Sequence, residues 1–301
     1  MIDINILKNP EFYVDYQKGL DYLKTINDSE FEYPEEITNF HIYSEIKNDK
    51  ELECIKSFLA TQNLEKTNLI VWSDYDISNN PLIQPYKKFL DLRIWDPIKE
   101  SVGTVLENSE HVTAKDFLYY LQSDLLRILV IYKYGGIWVD TDIIFLRDFK
   151  PIMDQEFMYQ WGGDIDFKNE GACATVLSGK KNSTFTSKLM EELKSSEIHP
   201  NSTNWGKNLF ARLWSKWPEF TIFPSSFFNT EWLISKTRLD FRKSLKNGFE
   251  YVDIDEDTLF LSAFTWHWHN SSNKNNPIQP NSKFDRLQKI TDSKLKNKNI
   301  V

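Results

Sequence analysis

The stretch Tyr134–Phe145, YGGIWVDTDIIF, limits what this chain can be more than any other. Two carboxylates, Asp140 and Asp142, sit two residues apart inside a run that otherwise reads as buried strand. Side chains in a strand alternate faces, so residues i and i+2 point the same way. Both carboxylates are therefore expected on one face, at one end of an apolar strand. Burying two like charges side by side is costly unless positive charge lies between or beside them. A divalent cation is the economical source of that charge, and a metal-assisted reaction is the leading reading.

The segments around this stretch alternate between helical and strand patterns. Thr113 to Tyr134 reads as a helix, with Thr113 as cap, Asp116 three residues on, and a stripe of Phe117, Leu121, Leu125, Ile128, Leu129 and Tyr132. Gly135 and Gly136 stop it, one in a left-handed cap. Upstream, Ile37–Tyr43, Asn68–Trp72 and Leu90–Trp95 read as strands, and Lys50–Gln62 as a helix with Leu52, Ile55, Phe58 and Leu59 on one face. This alternation predicts an α/β domain with a largely parallel sheet, in which ligands bind beyond the carboxyl ends of the strands. Tyr43, Ser44, Trp72, Ser73 and Asp74 fall at those ends.

Residues 1–35 read as an amphipathic helical extension, with Phe12, Tyr16, Leu20 and Leu23 in register and Pro34 at its end. Beyond Pro151 the pattern predicts short strands at Phe157–Trp161 and Cys173–Leu177, then helices at Ser183–Lys194 and Lys207–Trp217. Extended chain is expected at Ile222–Phe228, and an aromatic strand at Phe260–Trp268. From Ser271 onward the Asn/Lys/Ser-rich sequence predicts a loosely held tail or a final surface helix.

Bulk properties narrow the function. With 301 residues and 41% hydrophobic content, the chain can bury one large core or two small ones. A net charge of −8 argues against sequence-independent nucleic-acid binding. Such an acidic protein would need local positive charge to bind a phosphorylated anion. Cys54 and Cys173 have neither zinc-site nor disulfide-framework spacing, so free thiols in a reducing compartment are expected. No apolar run has signal or membrane-spanning length, and the expectation is a cytoplasmic protein, with a peripheral membrane contact left open.

The segment SDLLRILVIYKYGGIWVDTDIIF, Ser123–Phe145, resembles the sugar-binding region of glycosyltransferase family 32. Relatives include the glucosyltransferase domains of large clostridial toxins and the α-1,4-galactosyltransferases. The shared pattern is Asp-Leu-Leu-Arg, a helix ending in Tyr-Gly-Gly, and an aromatic–aliphatic–Asp-x-Asp strand. The resemblance implies a GT-A fold with a nucleotide-binding half at about 36–150, an acceptor half at about 151–272 and a polar tail at 273–301. It implies hexose transfer, with retention, from a nucleotide-diphosphate sugar, UDP-sugar favoured, to a hydroxyl of a glycan or glycoconjugate.

Carried over by position, Asp142 would bind Mn²⁺ (or Mg²⁺) directly. Asp140 would contact ribose or sugar hydroxyls and reach the metal through a water. Asp124 and Arg127 would hold the transferred sugar, since an aspartate accepts from hydroxyls and a guanidinium offers a fixed fork of donors. The alternative for Asp124 and Arg127 is an ordinary i,i+3 helix pair. In TWHWHNSS, Thr265–Ser272, His267 takes the place of the family's late metal ligand, with His269 as alternate. Imidazole with carboxylate and phosphate oxygens suits Mn²⁺. The chain departs from the family at Asn273, where Trp is usual, and at Asn204-Trp205-Gly206, where Thr-Gly-Pro is common.

Tyr43 is the candidate for stacking on the base, with Trp72 and Asp74 behind it. Gln160, Asp164, Asp166, Asn169 and Glu170 lie where the family turns toward the anomeric carbon. Two other readings compete. One is a haloacid-dehalogenase-type phosphatase with Asp140 as nucleophile. The other is a carbohydrate-binding protein without turnover.

Overall fold

The computed structural model describes residues 2, 3, 5, 9–113, 119–161, 172–198, 204–229, 248–251 and 259–300. Four strands run parallel: β1 (Thr38–Tyr43), β2 (Thr67–Ser73), β3 (Leu90–Ile94) and β4 (Gly136–Val139), side by side as β3-β2-β1-β4. An antiparallel strand, Ala172–Gly179, joins β4, followed by Phe157–Gln160 and then Ile222–Phe223 at the far edge. A separate two-stranded sheet pairs β5 (Ile143–Phe145) with the late strand Thr265–His267. The result is an α/β fold with a mixed, mostly parallel sheet between helical layers.

β1, β2 and β4 are buried on both faces, as helix-covered sheets require, while the edge strand β3 is only half-buried. Phe40, Ile42, Leu69, Val71, Ile137 and Val139 belong to one core, and Ile70, Trp72, Tyr43 and Trp138 to the other. The helix Tyr119–Tyr134 covers the second face; its Leu125, Leu126, Ile128 and Leu129 are fully buried. Thr113 does not cap it. That residue ends a short helix, Glu110–Thr113, and its hydroxyl donates back to Ser109 O; Asp116 and Phe117 lie outside the described residues. Gly135 and Gly136 take φ values of +67° and +102°, and a Cβ at Gly136 would stand 2.1 Å from Asn39 O. Only glycine allows β4 to start this close to β1.

The helix Asp49–Thr61 differs from its sequence pattern. Besides Leu52, Ile55, Phe58 and Leu59, it buries Glu53, Lys56 and Ser57. The cause is the C-terminal helix Lys283–Asn297, which lies on its polar side with Phe284, Leu287 and Leu295 buried. The polar segment 273–300 is thus anchored by a spaced apolar stripe. At the other terminus, Asp15 breaks the helical stretch into Glu11–Val14 and Tyr16–Thr25, capping the second with its side chain. Ile222–Phe228 is extended only over two residues, because Ser225–Phe227 turns into a 3-10 helix after Pro224.

The strand carrying the two aspartates is also shorter than its sequence implies. β4 ends at Val139; Asp140 follows it, Thr141 and Asp142 turn, and β5 enters the other sheet. The two carboxylates therefore do not share one strand face.

His41 is completely buried on β1. Its Nε2 contacts Gly135 O at 3.0 Å and its Nδ1 receives the Trp72 indole N–H at 3.2 Å, a pattern that fits the neutral ring. Burial, only partly opposed by the Gly135 carbonyl, pushes its pKa down from 6.5 to about 4. Between those values the unfolded chain binds a proton that the folded chain refuses, so this contribution to stability falls as pH falls. The expected loss between pH 7 and pH 4 is up to about 3 kcal/mol. Urea unfolding should show a shallower acid loss for His41→Gln than for the parent chain; equal slopes would remove His41 as the cause.

Candidate active site

Asp140 stands where the carboxyl edge of the parallel strands opens. Its backbone N–H is held by Thr175 O at 2.8 Å, and its Oδ1 accepts from Trp138 Nε1 at 2.6 Å. This second bond follows from strand geometry, since residues 138 and 140 point to the same side. Arg127 reaches the same oxygen from the covering helix. Its Nη2 lies 3.2 Å from Asp140 Oδ1 and 3.1 Å from Asp124 Oδ1, while Nη1 donates to Ala174 O at 2.9 Å. The guanidinium also lies over the Trp138 ring, 5.3 Å from its centroid.

Asp124 and Arg127 are each 7% exposed, so their pairing is not the solvated helix pair of a surface. Burial raises Asp124 to about 6; Arg127 pulls it down and Asp140 pushes it up. Asp140 is also raised, by burial first, with Arg127 opposing and Asp142 adding to it. The Asn204-Trp205-Gly206 turn closes against this pair. A Cβ at Gly206 would come within 2.9 Å of Asp124 Oδ2, so the missing side chain lets the backbone approach the carboxylate.

Asp142 faces the late strand instead. Its Oδ2 is 3.1 Å from His267 Nε2 and accepts the Asn270 N–H at 2.8 Å. Burial alone would raise its pKa, but His267 and the Asn270 N–H hold it well below the usual carboxylate range. His269 stacks on His267 with centroids 3.7 Å apart, and its Nε2 meets Asn229 Oδ1 at 3.1 Å. Both imidazoles therefore lie at the second aspartate, with His267 in contact and His269 behind it.

Asp142 and His267 have the chemistry for a hard or borderline divalent cation. Two donors on one octahedral cation at bond lengths of about 2.1 Å stand roughly 3 Å apart, which suits the observed 3.1 Å between Asp142 Oδ2 and His267 Nε2. Among the described residues no three His, Cys, Asp or Glu side chains converge to hold a metal ion. Asp140 turns its Oδ1 toward Arg127 and Trp138.

Other sequence candidates are placed differently. Trp72 is 1% exposed and packs edge-on against Trp95; Tyr43 is 3% exposed and donates its hydroxyl to Asp74. The two are register partners on neighbouring strands, so both point into the layer under the Tyr119–Tyr134 helix, and neither offers an open ring face. Gln160 is buried, donating to Tyr13 O and accepting from Ser225 N, which makes it a strut between segments. Asp164, Asp166, Asn169 and Glu170 lie outside the described residues. Both cysteines are free and buried. The contacts that sequence reasoning missed are Trp138, Asn229 and the Asn270 N–H. Of these only Trp138 had a signal, its position two residues before Asp140.

Removing the charge of Arg127 would leave the buried Asp124 and the half-buried Asp140 without their cation. Arg127→Met is expected to cost about 3 kcal/mol of stability, the usual scale for breaking a buried pair from one side. Denaturant unfolding checks this; a loss within about 0.5 kcal/mol, normal for a surface change, would count against a load-carrying pair.

Residues 48–159 match the family described as glycosyltransferase sugar-binding region containing DXD motif. The matched span includes Asp124, Arg127, Asp140 and Asp142, while Tyr43, His267 and His269 lie outside it. The apo form of glycosyltransferase GlyE from Streptococcus pneumoniae TIGR4 is similar in structure, with a TM-score of 0.52 at 10% identity, covering 87% of this chain and 64% of that one. A second GlyE structure gives 0.50 at 10% identity over 88% and 64%. The PaToxG glycosyltransferase gives 0.41 at 14% identity over 72% and 81%. This chain spans less than two thirds of the GlyE chain. No curated protein sequence matches it. Residues 48–159 are thus similar to the DXD-containing sugar-binding region of glycosyltransferases, and the α/β fold around them is similar to that of GlyE.

Proposed function

We propose that the chain is a retaining hexosyltransferase, taking a hexose from a UDP-sugar to a hydroxyl of a glycan or glycoconjugate, with Mn²⁺ as the favoured cation. One observation carries this reading: the Asp124–Arg127–Asp140 ion cluster and the Asp142–His267 pair meet at the carboxyl edge of the parallel strands. The first cluster mixes fixed donors and acceptors, which suits a polyhydroxylated ring. The second suits a cation that, when bound, would neutralise the diphosphate leaving group.

Each residue then has a task. Asp124 and Arg127 orient the sugar, with Gly206 leaving room beside the carboxylate. Asp140, fixed by Trp138 and Arg127, accepts from sugar or ribose hydroxyls with its free oxygen. Asp142 and His267 would hold the cation. Residues 36–150 supply the nucleotide half, and the acceptor half begins after Pro151. The resemblance to family 32 supports retention, in which the leaving phosphate takes the acceptor proton on the same face. A phosphatase nucleophile at Asp140 fits poorly, because Trp138 and Arg127 both engage its Oδ1 and it follows the fourth strand instead of the first.

Nucleotide release from a panel of UDP- and GDP-sugars with Mn²⁺ tests the proposal. Asp142→Asn should keep its circular dichroism spectrum and lose roughly 100-fold or more in turnover. Full activity in Asp142→Asn would take that residue out of the site. Metal-independent glycan binding with no nucleotide affinity would overturn the transferase reading.

A further inference from the structure

The C-terminal part of the chain runs back along the helix Asp49–Thr61 and is fastened to it at three places. At the far end, Lys298 Nζ donates to Leu59 O at 3.0 Å and Gln62 O at 2.8 Å. In the middle, Lys56 bridges Glu53 at 3.2 Å and Asp292 at 2.6 Å. At the near end, Lys50 Nζ donates to three carbonyls: Asn273 at 2.9 Å, Lys274 at 3.2 Å and Asn276 at 2.6 Å. An ammonium has three N–H groups, so this contact accounts for all of them. The same Nζ lies 4.4 Å from the Phe249 ring centroid and 5.8 Å from that of Trp268.

The three carbonyls belong to the end of the short helix Asn270–Asn273 and the turn beyond it. That helix starts directly after His269, and its first N–H, on Asn270, is the one donated to Asp142 Oδ2. Asn273 Nδ2 bonds Trp268 O at 2.8 Å, and Asn276 Nδ2 bonds Asn273 Oδ1 at 2.7 Å, so the stretch from Trp268 to Asn276 is internally braced. A braced unit held at one end by Asp142 needs a second fixed point to keep its orientation. Lys50, more than two hundred residues earlier in the chain, supplies that point.

We infer that Lys50 is a positioning residue for the cation-and-diphosphate end of the active site, pinning the turn after His269 so that His267 and the Asn270 N–H stay on Asp142. The inference rests on the proposed function, which makes that end the place where the diphosphate binds. Without the pin, the segment would have to be ordered when ligand binds, and affinity would fall by the cost of that ordering. Supports beyond the direct ligands commonly tune metal affinity in this way.

Lys50→Met keeps the aliphatic stem over Phe249 and removes the donors; Lys50→Gln, a milder change, replaces it should Lys50→Met not fold. In the protein without ligand, hydrogen exchange at Asn270 should be at least about tenfold faster than in the parent chain, with the β1–β4 amides unchanged. In calorimetry with UDP and Mn²⁺, the dissociation constant should rise about tenfold and recover in Lys50→Arg. Lys298→Met should lower the unfolding midpoint and leave the UDP titration unaltered. Unchanged exchange at Asn270 would overturn the pin itself. Faster exchange with an unaltered UDP titration would overturn its role in positioning. A parent chain that does not bind UDP with Mn²⁺ would overturn the proposed function, while the exchange result still decides the pin.

Discussion

Arg127 carries its guanidinium into the interior between two carboxylates, and that placement dictates much of what surrounds it. A buried positive charge must be matched, and Asp124 and Asp140 match it from the covering helix and from the end of β4. Its Nη1 donates to Ala174 O and its Nε to Ser123 O, so the sheet strand next to β4 is fixed by the same group. Helix, central strand and antiparallel strand are thereby tied at one point. That point is where the proposed sugar site lies, so the geometry offered to a substrate is set by contacts that also hold the layers together.

The second aspartate depends on a different part of the chain. Asp142 is met by groups more than a hundred residues later, and they are brought to it by the pairing of β5 with Thr265–His267. The late strand is backed by a C-terminal helix lying on the polar side of Asp49–Thr61. The apolar stripe of Phe284, Leu287 and Leu295 gives that helix its grip, and the lysines add fixed attachment points. The segment richest in polar residues thus acts as a brace.

Much of the architecture was legible in the sequence because periodicity reports burial. The first three strands, the helix before Gly135 and the helices after Ser183 and Lys207 follow from it directly. The paired aspartates were visible as charges in an apolar run. Their separation was not, because Thr141 and Asp142 turn without glycine or proline to announce it. Tyr43 and Trp72 show another limit: alternation tells which residues share a face, but not whether a helix covers it. Lys50, Asn229 and the Asn270 N–H were invisible because their partners are distant in the chain or belong to the backbone.

The break between β4 and β5 makes the Asp140–Asp142 turn the seam between two sheets that share one core, with Ile137 and Val139 on one side and Ile143, Ile144 and Trp266 on the other. Any tilt of the small sheet against the large one must be absorbed there, changing the gap between the two carboxylates.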